Sequence, residues 1–183
     1  MFSKVVELGG RTFIFLAIVV PHAVLAVAFG IDSITLLNYV HIMCGMLWTG
    51  IDLFMGFIVG PILGQLAPER KAEVFRLLIP KMTFLMPVLA GVTIITGFMM
   101  AQRMGMLSLT QPLVAAALAI TVVLVVQGFG FLLPNEVRIF RQLISEKPDG
   151  DRIAKLGMQN ARLAGIQGLF QLAIILVMAN LRF

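Results

Sequence analysis

The chain has 183 residues, 60% of them hydrophobic and 13% charged, and its mean hydropathy is +1.00. That composition excludes a soluble globular domain and describes an integral membrane protein. The formal net charge of +5 does not point to nucleic acid, because the basic residues lie in short connections beside apolar stretches, where they face anionic membrane lipid.

Apolar runs of about 20 residues, the length needed to cross hydrocarbon, occur near residues 12–30, 35–64, 77–102, 109–134 and 163–181. They predict a single all-α domain over residues 1–183, built as a bundle of five transmembrane helices. The first run follows Lys4 and Arg11 and carries Ala26-Val27-Ala28, the outline of a secretory signal. Pro21 and His22 inside its apolar core, in a chain that begins at Met1, fit a retained helix better. The second run is longer than a bilayer requires, which allows tilt or projection. Its Gly56, Gly60 and Gly64 recur every fourth residue, a stripe that lets another helix approach, either within the chain or in a homo-oligomer or larger membrane complex.

Two charged connections, residues 67–78 and 135–162, interleave charges with apolar residues and read as interfacial helices or as docking surfaces for a partner. The second is interrupted by a Lys147-Pro148-Asp149-Gly150 turn. Lys4, Arg11, Arg70, Lys71, Arg76, Lys81 and the basic residues from Arg138 to Arg162 fall on one side of such a bundle, leaving Arg103 and Arg182 on the other. Retention of basic residues on the inner side then puts the N-terminus in the cytoplasm and the C-terminus outside. The expected location is a bacterial or archaeal cytoplasmic membrane.

Ionisable groups inside such helices are expensive and therefore informative. His41 and Asp52 are eleven residues apart, which returns them to within roughly 20° of one helix face, together with Trp48. His22 lies about eight residues, or roughly 12 Å, from the outer end of the first helix, and His41 at nearly the same depth on the next. Two imidazoles at matched depth suit the axial ligands of a haem b, with Trp48 packed on the porphyrin and Arg103 reaching a propionate. The alternative is that each histidine bonds a hydroxyl or carbonyl on a neighbouring helix. Asp52 has Lys81 as its natural partner, and Gln127, Gln167 and Gln171 could complete a polar interior. That group is either a proton path serving a redox centre or a structural ion pair.

The pattern His41, six residues, Trp48, one residue, Gly50, followed by Val59-Gly60-Pro61, Arg76, Pro80-Lys81 and Thr96-Gly97, resembles small membrane proteins related to the copper-resistance CopD family and the HemJ-type protoporphyrinogen oxidases. The likeness spans about residues 35–100, roughly a third of the chain. It implies haem b held at His41, a membrane lysine at Lys81 that matters for activity, and membrane redox chemistry. A second reading comes from sulfur. Met99, Met100, Met104 and Met106, with Met43, Cys44 and Met46, supply the soft ligands that select Cu(I), as a copper-handling CopD-like protein would need. A third is a non-catalytic accessory subunit of a larger complex. No phosphate-binding glycine loop, His-Glu-x-x-His or Cys-x-x-Cys motif is present.

Overall fold

Five helices long and apolar enough to cross a membrane make up almost the whole of the computed structural model, which describes residues 2–181, with side chains from residue 6 onward. Arg182 and the Lys4 side chain, both used above to orient the chain, lie outside the described residues. A short helix α1 (Phe2–Gly9) precedes α2 (Arg11–Gly30), and Gly10, at φ 82°, makes the break between them in a backbone region open to glycine. Ser33 starts the next helix by accepting a hydrogen bond from the Leu36 N–H at 3.2 Å. The spans that follow are α3 (Ile34–Gly64), α4 (Pro68–Arg103), α5 (Pro112–Leu143) and α6 (Gly150–Ala179). Asp149 caps the last of these through the Arg152 N–H at 3.0 Å.

α3 and α5 each contain one π-helical turn, Met55–Val59 and Gly128–Leu132. Each ends two residues before a proline, Pro61 and Pro134. A proline ring clashes with the carbonyl four residues earlier and offers it no donor. A wider turn relieves that clash inside an otherwise continuous helix.

The charged connections differ from the sequence reading. Residues 68–78 form the first turns of α4, while 135–143 end α5 and 150–162 begin α6, so these are extensions of spanning helices and not separate interfacial ones. Their apolar residues explain the difference. Phe75 and Ile139 are fully buried, and with Ile79, Phe140 and Ile153 they form a second core at the basic end of the bundle. The other core, around Leu37, Val40, Cys44, Trp48, Leu89 and Val92, packs α3 against α4 towards the opposite end.

The glycine stripe is also resolved. A Cβ on Gly56 would sit 2.1 Å from the Gly165 Cα of α6, and one on Gly60 would lie 3.5 Å from the Ala161 Cβ, so both are used where α3 crosses α6 inside the chain. Only Gly64 has open space around it. The expected oligomer face is therefore an internal seam over two of its three glycines.

Candidate functional site

Between the two apolar cores the four longest helices leave a cavity of about 80 Å³. Trp48, Asp52 and Met55 of α3 line it, opposite Glu136 of α5 and Asn160 and Gln167 of α6, on otherwise apolar walls. Both π-helical turns border it, through Met55 and through Gly128 and Phe129. On the scale where one water needs roughly 10–15 Å³, this space is large enough for several.

Asp52 is the centre of the site and is 2% exposed. Its Oδ2 accepts two hydrogen bonds, from Gln167 Nε2 at 3.1 Å and from Gln171 Nε2 at 3.0 Å. The two glutamines stand one turn apart on α6, so a single helix face delivers both amides to one oxygen. The crossing at Gly56 and Gly165 places them there, because Gly56 is one turn beyond Asp52 and only backbone separates the helices at that point. Trp48, one turn before Asp52, contributes a further side-chain interaction with the carboxyl group. Glu136 is close enough to act on Asp52 through its charge, and is itself a partner of the Thr83 hydroxyl.

No Lys, Arg or His forms an ion pair with Asp52 or Glu136 among the described residues; the two ion pairs there are Arg70–Glu73 and Arg103–Asp32. From the cavity towards the basic end runs a second polar cluster. Asn135 Nδ2 donates to Asn160 Oδ1 at 3.0 Å, and Arg138 Nη1 donates to Asn135 Oδ1 at 2.9 Å. No protein-family model matches this chain, and neither curated proteins nor solved structures provide a match.

Several expected partnerships are replaced by others. Lys81 does not pair with Asp52. Its Nζ donates to the Gly9 carbonyl at 3.1 Å and lies 5.6 Å from the Phe13 ring centroid, so it caps the C-terminus of α1. The face of α4 that carries Lys81 is turned to α1 and not to α3. Lys81→Met is thus expected to cost about 1 kcal/mol, the worth of one such bond, and to leave the Asp52 site intact. A melting curve together with a proton-uptake assay on that variant checks both.

Arg103 bonds Asp32 in the α2–α3 connection, Nη2 to Oδ1 at 2.7 Å, instead of waiting for a propionate. Gln127 donates to the Leu163 carbonyl at 2.7 Å and stays out of the Asp52 group. Met43 and Met46 are exposed on the membrane side of α3 while Cys44 is buried in the core, so these sulfurs do not converge.

The histidines are turned to different neighbours. His22 is exposed, about 100° around α2 from its buried stripe of Ile14, Ala17, Leu25 and Ala28. Its Nδ1 donates to the Ile18 carbonyl of its own helix at 2.7 Å. His41 faces α4, where Nδ1 donates to the Thr93 carbonyl at 2.9 Å and the ring lies against Gly97, on which a Cβ would come within 2.8 Å of Cε1. A haem clamped between these two imidazoles does not fit this arrangement. His41 alone retains the features of a ligand, because a carbonyl fixes its Nδ1 proton and leaves the Nε2 lone pair available.

Sequence reasoning missed Glu136, Asn135 and Asn160, having assigned them to a connection. The signal was present in Glu136, Ile139 and Phe140, an i, i+3, i+4 stripe that continues the preceding helix.

Proposed function

We propose that the chain is an integral membrane protein that takes up and releases a proton at Asp52, in support of membrane redox chemistry. One observation carries this reading: two carboxyl groups, Asp52 and Glu136, line a single cavity between spanning helices without a basic partner among the described residues. A charge so placed is costly in hydrocarbon, and such residues mark proton and ion paths. A structural ion pair would need a lysine or arginine beside these carboxyl groups, and the two ion pairs among the described residues lie elsewhere.

The neighbouring residues support exchange in a definite way. With Asp52 ionised, the two glutamine amides donate to Oδ2, as observed. With Asp52 neutral, a half-turn of one amide presents its oxygen to the new carboxyl O–H at no change in shape. Waters in the cavity would link Asp52 to Glu136, and the Asn135–Asn160–Arg138 cluster continues towards the basic end. In this reading the end rich in Lys and Arg is the cytoplasmic one, with the N-terminus inside.

The test is proton uptake by the full chain reconstituted in vesicles, followed with an entrapped pH dye, together with the infrared carboxyl band of the same sample. An Asp52-dependent band that changes with pH and accompanies proton uptake is expected. A carboxyl band indifferent to pH from both faces of the membrane would end the proposal.

His41 favours a second reading, haem b held by a single imidazole, with the redox role that the HemJ-like resemblance implies. When bound, the haem would supply one-electron chemistry, and His41 would hold it through Nε2. His41→Ala is expected to remove the reduced-minus-oxidised b-type difference spectrum of the purified chain while His22→Ala leaves it in place. A spectrum that survives His41→Ala would eliminate this ligand.

A further inference from the structure

The cavity at Asp52 opens sideways to the membrane. α4 and α5 come together at the basic end, through residues 133–143, whereas residues 112–132 of α5 pack on α6 and scarcely approach α4. In that gap Met86, Ala90 and Ile94 of α4 line the cavity together with Val125 and Phe129 of α5. Phe129 is 54% exposed as well as lining the cavity, so the apolar walls run out to the surface that meets lipid. A hydrocarbon chain can follow them inwards without meeting water.

The polar part of the cavity is rich in acceptors. The donors on its walls already have partners: Gln167 Nε2 and Trp48 engage Asp52, and Asn160 Nδ2 donates to the Leu132 carbonyl. Asp52 and Glu136, the only titratable residues on these walls, have no cation beside them among the described residues, and Gln167 Oε1 is buried with no donor. Buried oxygens are rarely left so. A complementary guest therefore brings N–H or O–H donors, and charge chooses between them. Glu136 acts on Asp52 through its charge. Two carboxyl groups so placed keep one proton between them, which leaves one negative charge. A water or an alcohol would donate but leave that charge uncompensated in hydrocarbon. A primary ammonium brings one positive charge and three N–H donors, which match in number the two carboxyl groups and Gln167 Oε1.

The walls define the rest of the guest. At about 80 Å³ the cavity is smaller than the roughly 150 Å³ that encloses a benzene ring, so it suits the head and first carbons of a straight chain. Met55, Met82 and Met86 on its walls are flexible and adapt to guests of different shape. We propose that the cavity binds a lipid-soluble primary amine that enters between α4 and α5, with its ammonium group at Asp52, Glu136 and Gln167 and its chain in the membrane. This rests on the reading of Asp52 as an exchanging carboxyl and names what the proton is exchanged for. Binding of the ammonium group releases the proton that the two carboxyl groups share.

The chain carries its own probe, because Trp48 is its single tryptophan and borders the same cavity. The full chain in phosphatidylcholine nanodiscs is titrated at neutral pH with octylammonium chloride and, in parallel, with 1-octanol, with Trp48 emission and melting temperature as readouts. A saturable change in emission and a rise in melting temperature are expected with octylammonium and neither with octanol. Lowering the pH should weaken the apparent affinity, by up to about tenfold per unit, because proton and ammonium compete. Asp52→Asn and Glu136→Gln keep the shape of the site, and each should weaken octylammonium binding about tenfold or more. Equal responses to octylammonium and octanol, or an octylammonium response that survives both substitutions, overturn the inference even where Asp52-dependent proton uptake persists and the proton reading stands. An octylammonium response that needs both carboxyl groups supports the amine site even where vesicles show no proton uptake, and in that case the proton reading falls.

Discussion

Asp52→Asn is expected to end proton exchange while leaving the bundle at least as stable as the native chain, whereas Asp52→Leu is expected to destabilise it. The two variants separate a working carboxyl from a structural one. In the asparagine variant Oδ1 still accepts the N–H of one glutamine amide, and a half-turn of the other presents its oxygen, unpartnered in the native chain, to the new NH₂. The uncompensated buried charge is gone, and removing it is commonly neutral or stabilising. Leucine offers neither donor nor acceptor. It strands both amide N–H groups in an apolar site, at about 1–3 kcal/mol each. Melting temperature and pH-driven change in the infrared carboxyl band, measured on both variants, decide the point. Proton uptake that survives Asp52→Asn would show that Asp52 is a packing residue and that the path, if present, runs through Glu136.

The five spans were legible in the sequence because length and hydropathy alone define them. The partners of each polar side chain were not. In a soluble helix the apolar stripe tells which face turns inwards, but in a membrane helix both the lipid side and the packed side are apolar. Phe57, Leu176 and Val122 are exposed and as hydrophobic as buried Leu37 or Val92. Rotation of each helix about its axis was therefore open, and the inferences that needed it failed together. His22 lies off the buried stripe of α2, Lys81 turns to α1, and Arg103 finds Asp32.

What could be read correctly came from periodicity within one helix. His41, Trp48 and Asp52 share a stripe of α3, as their spacing requires, and Gln167 and Gln171 reach the same oxygen because they are four residues apart. The long extensions of α4, α5 and α6 were misread because their charges suggested an interface. Phe75, Ile139 and Ile153 between those charges keep helical spacing and bury themselves in the second core.

Gly56→Leu is expected to be among the most damaging single substitutions in the chain, with Gly64→Leu as its harmless counterpart on the same stripe. A Cβ at Gly56 would lie 2.1 Å from Gly165 Cα and 2.5 Å from Gly165 N, both backbone atoms that cannot rotate away. The only relief is to push α3 and α6 apart, which undoes their packing and should cost about 3 kcal/mol or more, the upper range for overpacking. Asp52 stands one turn from Gly56, so the same displacement draws its carboxyl group away from Gln167 and Gln171. Loss of stability and loss of proton exchange are therefore expected together. Gly165→Ala presents a Cβ 3.0 Å from Gly56 Cα and should fall between the two. At Gly64 nothing lies within 4 Å, and leucine there adds helix propensity and lipid contact. Melting temperatures of the three variants in detergent should rank Gly56→Leu lowest, then Gly165→Ala, then Gly64→Leu near the native chain. Equal melting of Gly56→Leu and Gly64→Leu, with a change of oligomeric state in both, would instead make the stripe a contact between protomers.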